Sequence, residues 1–301
     1  MNTPRPYKRL ALFVAGLAAV FVVAAAVGSL FEPAETEAGK EEKMGAHTAE
    51  AAHGGREAAH GGQEAGHEPA GLGIAADGYS LRIASTQLAR GEAEELSFQI
   101  EDAEGRPVTD FDELHERRMH LIVVRRDGTE FRHLHPEMDA AGIWTVPLEL
   151  DRAGVYRAFA DFSVEGGQQT LAGDLFVSGG EFEARPFPPA LSLDEADGYE
   201  VRLRAGDPVA GEPTSLEFSV GRNGDAVDGL SPYLGAKGHL VALREGDLAF
   251  LHVHPEEGDE VDPEEIVFAA TFPTAGRYRL YLQFKHEGAV RTVEFTVEVP
   301  R

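Results

Sequence analysis

The feature that most constrains this chain is an internal repeat. Sliding the sequence by about 120 residues lays Leu96-Ser-Phe on Leu216-Glu-Phe and Met119-His-Leu-Ile-Val on Gly238-His-Leu-Val-Ala. The same shift lays Ala153-Gly-Val-Tyr-Arg-Ala-Phe-Ala-Asp-Phe on Ala275-Gly-Arg-Tyr-Arg-Leu-Tyr-Leu-Gln-Phe. One structural unit therefore has to be solved twice. Within the first copy the runs Tyr79–Ile83, Glu95–Ile100, Met119–Val124, Phe131–His135, Ile143–Leu150, Val155–Phe162 and Leu171–Val177 alternate or are solidly apolar, and Gly, Pro and Asp separate them. No long helical period interrupts them. The spacing predicts an all-β chain of two tandem immunoglobulin-like or cupredoxin-like β-sandwich domains, 72–181 and 192–301, joined by a proline-rich linker at 182–191.

Ahead of the repeat the chain changes character twice. A basic stretch at 1–9, with Arg5, Lys8 and Arg9, precedes Leu10 to Phe31, which carries no charge and is long enough for a transmembrane helix. The flanking positive charge places the remainder outside the cytoplasm. A cleaved signal peptide is the rival reading, since small residues cluster near Ala26, and it also exports the domains. Residues 32–71 lose their large apolar side chains and read as a disordered tether of His, Gly, Ala and Glu, with His47, His53, His60 and His67 as additional candidate ligands.

Charge and cysteine usage exclude whole classes of partner. A formal net charge of -25 opposes nucleic acid and anionic lipid surfaces. With no cysteine there is no disulfide framework, thiolate site or thiol nucleophile, so any metal site must use His, Met, Asp or Glu.

The histidines supply that chemistry. His120, His133 and His135 fall on His239, His252 and His254 under one offset, giving the motif His-x12-His-x-His-Pro twice. Asp127-Gly128 and Gly246-Asp247 occupy the two-residue turn of a hairpin in each copy. Closing the first hairpin by pairing Arg126 with Thr129 places His120 opposite His135, with His133 one diagonal step away on the same face, and the second closes with His239 facing His254. Each copy is thus expected to hold a separate three-histidine metal site. Three imidazoles suit copper, as Cu(I) or Cu(II), or zinc; Met119 and Met138 flank the first motif and would tilt the choice to copper, although alternation points Met119 away from His120. Ile122, Val124 and Phe131 share the histidine face, which keeps open the reading that the histidines are structural. His115 and His286 have no counterpart in the other copy and are expected at the surface.

The strings Phe131-Arg-His-Leu-His-Pro-Glu, Tyr233-Leu-Gly-Ala-Lys-Gly-His-Leu-Val and Phe250-Leu-His-Val-His-Pro-Glu resemble those of bacterial exported or membrane-anchored proteins with tandem His-x-His-Pro sandwiches, often labelled secreted or heavy-metal-binding. The resemblance spans about 95–297 and implies an envelope location and copper handling; Lys237 stands where that family's pattern would carry Met. No nucleophile elbow, phosphate loop or His-Glu-x-x-His helix occurs, so no enzyme is expected. The expectation is a membrane-anchored, extracytoplasmic metal-binding protein that sequesters an ion or passes it to another envelope protein. The alternative is a non-catalytic sandwich for protein recognition or assembly, with structural histidines.

Overall fold

A computed structural model describes residues 70–256 and 265–301. The basic N-terminus, the expected transmembrane helix and the tether with His47, His53, His60 and His67 lie outside the described residues. Among the described residues no helix is long and apolar enough to cross a membrane.

Copy one contains β1 (Ala75–Ala76), β2 (Tyr79–Ile83), β3 (Gln87–Ala89), β4 (Glu94–Glu101), β5 (His120–Arg125), β6 (Arg132–Leu134), β7 (Glu137–Met138), β8 (Ile143–Leu148), β9 (Gly154–Val164) and β10 (Gly167–Ser178). Copy two contains β11 (Leu193–Ala196), β12 (Tyr199–Ala205), β13 (Pro213–Arg222), β14 (Asp225–Ala226), β15 (Gly238–Arg244), β16 (Phe250–Leu251), β17 (His254–Glu256), β18 (Glu265–Thr271), β19 (Gly276–His286) and β20 (Ala289–Val299). Each copy is a sandwich. In copy one the sheet β1-β2-β4-β8-β7 packs on β3-β10-β9-β5-β6, and in copy two β11-β12-β13-β18-β17 packs on β16-β15-β19-β20. Between the sheets of copy one lie Leu96, Phe98, Leu121, Val123, Trp144 and Phe162, and Leu216, Phe218, Leu240, Phe268, Leu282 and Phe295 do the same in copy two.

Every residue of β5 is buried, which a strand with one solvated face would not show. Leu121 and Val123 point into the first sandwich, while Ile122 and Val124 point out of it, into a third core. That core also holds Phe131, Phe159 and Ala172 of copy one and Val241, Leu243, Leu248, Phe250 and Tyr281 of copy two. The histidine-bearing sheets of the two copies are packed on one another.

The contacts across this interface interchange the copies, as an isologous interface does. Phe131 stacks on Tyr281 with ring centroids 4.2 Å apart, and the repeat-equivalent pair, Phe250 and Phe159, meets at 5.6 Å. Duplication has therefore placed two like faces against each other around an approximate two-fold axis. Residues 70–73 lace the copies together: the Phe250 amide donates to Ala70 O, Gly71 N to Thr170 O and Ala172 N to Gly73 O. The linker is pinned as well, since Asp127 accepts from the Arg185 amide and pairs with the buried Arg125 at 2.7 Å, while Arg125 also donates to Glu183 O.

Candidate metal centre between the two copies

The hairpin that carries the first motif reaches the expected register by another route. Its turn is one residue longer than the two-residue closure: Gly128 N donates to Arg125 O and Arg125 N to Thr129 O, with Gly128 at φ 75°, where a Cβ is disfavoured. Glu130, at φ 57°, then adds an unpaired residue, and beyond this bulge Ile122 pairs with His133 and Val123 with Arg132. The two irregularities cancel. His120 and His135 consequently fall at opposed positions one step past the end of β6.

His120, His133 and His135 converge, with one ligand nitrogen from each lying within 4.8 Å of the others. The outer nitrogens are tied down. His120 Nε2 lies 2.8 Å from Leu114 O, which can only accept, so that nitrogen carries the proton and Nδ1 is a free lone pair. His133 Nδ1 lies 2.7 Å from Oε1 of Gln283 in copy two, which frees Nε2 in the same way; Gln283 Nε2 is turned to Thr292 Oγ1 at 3.2 Å. The two freed nitrogens are 3.0 Å apart, near the roughly 3.3 Å that two imidazole nitrogens keep on one tetrahedral ion. His135 Nε2 is buried with no hydrogen-bond partner.

Protonation is a poor way to fill the gap between facing lone pairs. Burial, and then the neighbouring His120, push the His133 pKa down to about 3 and the His135 pKa down to about 4. Burial is also the first cause of the lowered pKa values of His120, His115 and His239. Neutral imidazoles are the form that binds a metal ion, so the same burial keeps the lone pairs available at neutral pH.

The second motif does not repeat the arrangement. Ala242 pairs with Leu251 and Leu243 with Phe250, so the expected register holds at the turn end of the hairpin. β16 then stops, and His254 crosses to the other sheet, where it pairs with Ala269 and is exposed. The expectation of a second site with His239 facing His254 is therefore corrected. His239 instead joins copy one, stacking on His133 at 4.7 Å and on His120 at 5.5 Å with ring planes 8° apart. His252 lies 3.2 Å from the buried Asp161 carboxylate and 2.9 Å from Thr170 Oγ1, both in copy one. Burial raises the Asp161 pKa, but the His252 hydrogen bond, with its charge, and the neighbouring His120 outweigh burial and leave it lowered. The pairs His133–Gln283 and His252–Asp161 occupy equivalent places in the two copies, so the second motif serves the interface.

Three further expectations change. His115, expected at the surface, is partly buried in the cluster, 5.6 Å from His239 and 6.1 Å from His120. It sits with Glu116 in a tight turn, both at positive φ, that hands Leu114 O to His120. Leu234 fills the corresponding turn position in copy two, so the repeat gave no sign of this histidine. His286 is also partly buried, 2.7 Å from Tyr199 Oη. Met119 belongs to the core of the first sandwich and Met138 packs against it, so neither thioether shares the histidine face. Gln283 and Asp161 were missed altogether, although a polar residue before Phe in an apolar strand (Ala160-Asp-Phe, Leu282-Gln-Phe) marks both.

The model of one family, described as a domain of unknown function (DUF8832), matches residues 74–179 and 194–301. The resemblance to heavy-metal-binding proteins is thus met only by a family whose function is undescribed. No curated protein matches. Solved structures that match include the Escherichia coli adhesin FdeC, at 13% identity and TM-score 0.25 over 74% of this chain and 64% of that one. Another is InvD of Yersinia pseudotuberculosis, at 16% identity and TM-score 0.25 over 74% and 57%, and a third is elastase-activated α-2-macroglobulin of Escherichia coli, at 15% and 0.26 over 74% and 20%. The chain spans less than two thirds of the length of each, and likeness at these scores says nothing of function. Two tandem matches cover most of the sequence, and the chain belongs to the family of this domain of unknown function, DUF8832.

Proposed function

We propose that the chain is a non-catalytic β-sandwich module whose repeated histidine motif acts first as structure, holding two copies face to face, and that the copy-one histidines take a single metal ion. The structural part of this reading is supported by His252 on Asp161, His133 on Gln283 and the His120–His239 stack, each of which joins the copies. The metal part rests on one observation: three ligand nitrogens converge, and two of them present facing lone pairs because their ring partners donate to oxygen. With both methionines turned into the sandwich, the donors are imidazoles alone. That set suits Cu(II) or Zn(II) better than Cu(I) and narrows the copper expectation.

In this reading the module sits outside the cytoplasm, held by the segment 10–31, and sequesters the ion or passes it to another envelope protein. The second reading dispenses with the ion: a recognition or assembly module in which every motif histidine is structural. It is favoured by the fate of the second motif, where His239 and His252 serve the interface.

One titration separates the readings. The full chain, with His47, His53, His60 and His67 changed to Ala, is titrated with Cu(I), Cu(II) and Zn(II) beside a variant that also carries His120→Ala, His133→Ala and His135→Ala. One equivalent, lost in a variant that still folds, supports the metal site. No binding by the parent, together with a loss of stability in the variant, leaves the recognition module.

A further inference from the structure

The ligand nitrogens all belong to copy one, and so does Leu114, which sets His120, yet the group that sets His133 and a ring that covers the site come from copy two. Gln283, on β19 of copy two, is the hydrogen-bond partner that fixes the His133 tautomer, and His239, on β15, lies flat against His133 and His120. Gln283 is itself held by Thr292 on β20. If the copies separated, His133 would lose its acceptor and the site would lose its cover.

Building on the metal reading above, we propose that ion binding and docking of the two sandwiches are linked, with Gln283 as the positioning residue that sets His133 for the ion. The docked form presents His133 Nε2 beside His120 Nδ1 at 3.0 Å, and the undocked form has nothing to hold it there. An ion that prefers the docked form stabilises docking by the same factor by which docking strengthens its binding. The ectodomain then works as a clasp closed by metal, and a partner that pries the copies apart releases the ion.

The repeat shows how such a device arises. Copy one carries Asp161 at the position of Gln283, and there the carboxylate holds His252. A charged group at one end of the interface and a neutral one at the other give two similar histidine contacts different work. The neutral amide fixes the His133 tautomer without adding an anion to the site, and the carboxylate locks His252 in place.

The experiment uses the full chain with the four tether histidines changed to Ala, Zn(II) as a redox-inert probe, and three variants: Gln283→Leu, Gln283→Glu and Phe250→Ala. Losing an outer hydrogen-bond partner of a metal-bound histidine weakens binding about 10- to 100-fold. Gln283→Leu is expected in that range, while Gln283→Glu, which keeps an acceptor, binds at least as tightly as the parent. Phe250→Ala opens the interface from its Phe159 side, and weaker binding there is the signature of linkage, since Phe250 is no ligand. In the parent, zinc is expected to slow hydrogen exchange of the Gly71 and Phe250 amides, which bond across or beside the interface. Parent-like affinity in Gln283→Leu and Phe250→Ala, with exchange unchanged by zinc, overturns the linkage and leaves the site standing. No zinc binding by the parent overturns both.

Discussion

Lowering the pH of the metal-free chain from 7.5 to 5.0 should destabilise it by at least about 2 kcal/mol, a figure worked from His133 alone. In the folded protein the His133 pKa is pushed down to about 3 from the ordinary 6.5, because its ring is enclosed against His120, His135 and His239. The unfolded chain takes up a proton below about 6.5 and the folded one does not, so stability is level above that pH and falls as pH drops toward 3. Each unit in this window costs about 1.4 kcal/mol per histidine, hence about 2 kcal/mol at pH 5.0. His120, His135, His115 and His239 are shifted the same way and steepen the slope. The pKa of Asp161, which pairs with His120 across β5 and β9, is raised by burial but lowered on balance by its hydrogen bond with His252. The assay is urea denaturation in the presence of a chelator at pH 7.5, 6.5, 5.75 and 5.0, beside a His133→Gln variant. Equal stability at 7.5 and 5.0 to within about 0.5 kcal/mol, or an unchanged slope in the variant, would refute the argument.

Phe131→Ala and Phe250→Ala should each cost about 3–5 kcal/mol and leave one cooperative transition, because both rings belong to the core shared by the two copies; two separate transitions in the parent would contradict this. His252→Ala removes one partner of the Asp161 carboxylate, leaving Thr170 and Gln168, and should cost about 1.5–3 kcal/mol in denaturation, with metal stoichiometry unchanged in titration. His135→Ala removes a buried nitrogen that has no partner, so stability should stay within about 1 kcal/mol of the parent while metal affinity drops more than tenfold; a large loss of stability would mark His135 as structural instead.

Much of this arrangement is legible in the sequence. Period-two alternation reports which side chains share a face, and the offset common to His120 and His239 reports a repeat, so the strands, the two sandwiches and the convergence of His120, His133 and His135 followed from local rules. Even the hairpin register was recovered, although the lengthened turn and the Glu130 bulge that cancel to produce it were not. The repeat also misled. Identical strings invite identical sites, but a strand's local pattern cannot say when it leaves its sheet, and His254 leaves two residues earlier in its copy than Glu137, at the edge of the other sheet, does in copy one.

What the tertiary structure alone decided is the meaning of the histidine face. Ile122, Val124 and Phe131 beside three histidines read equally as the wall of a site or as core, because burial depends on what lies opposite, and the opposite surface is a second copy whose approach no local pattern encodes. Packing the copies brought Gln283 to His133, His239 to His120 and His252 to Asp161, all contacts between residues far apart in sequence. The sequence by itself determined the donors. Docking, driven by the apolar residues on both faces, decided what lies against the copy-one donors, and the crossing of His254 to its other sheet left copy two without a matching centre.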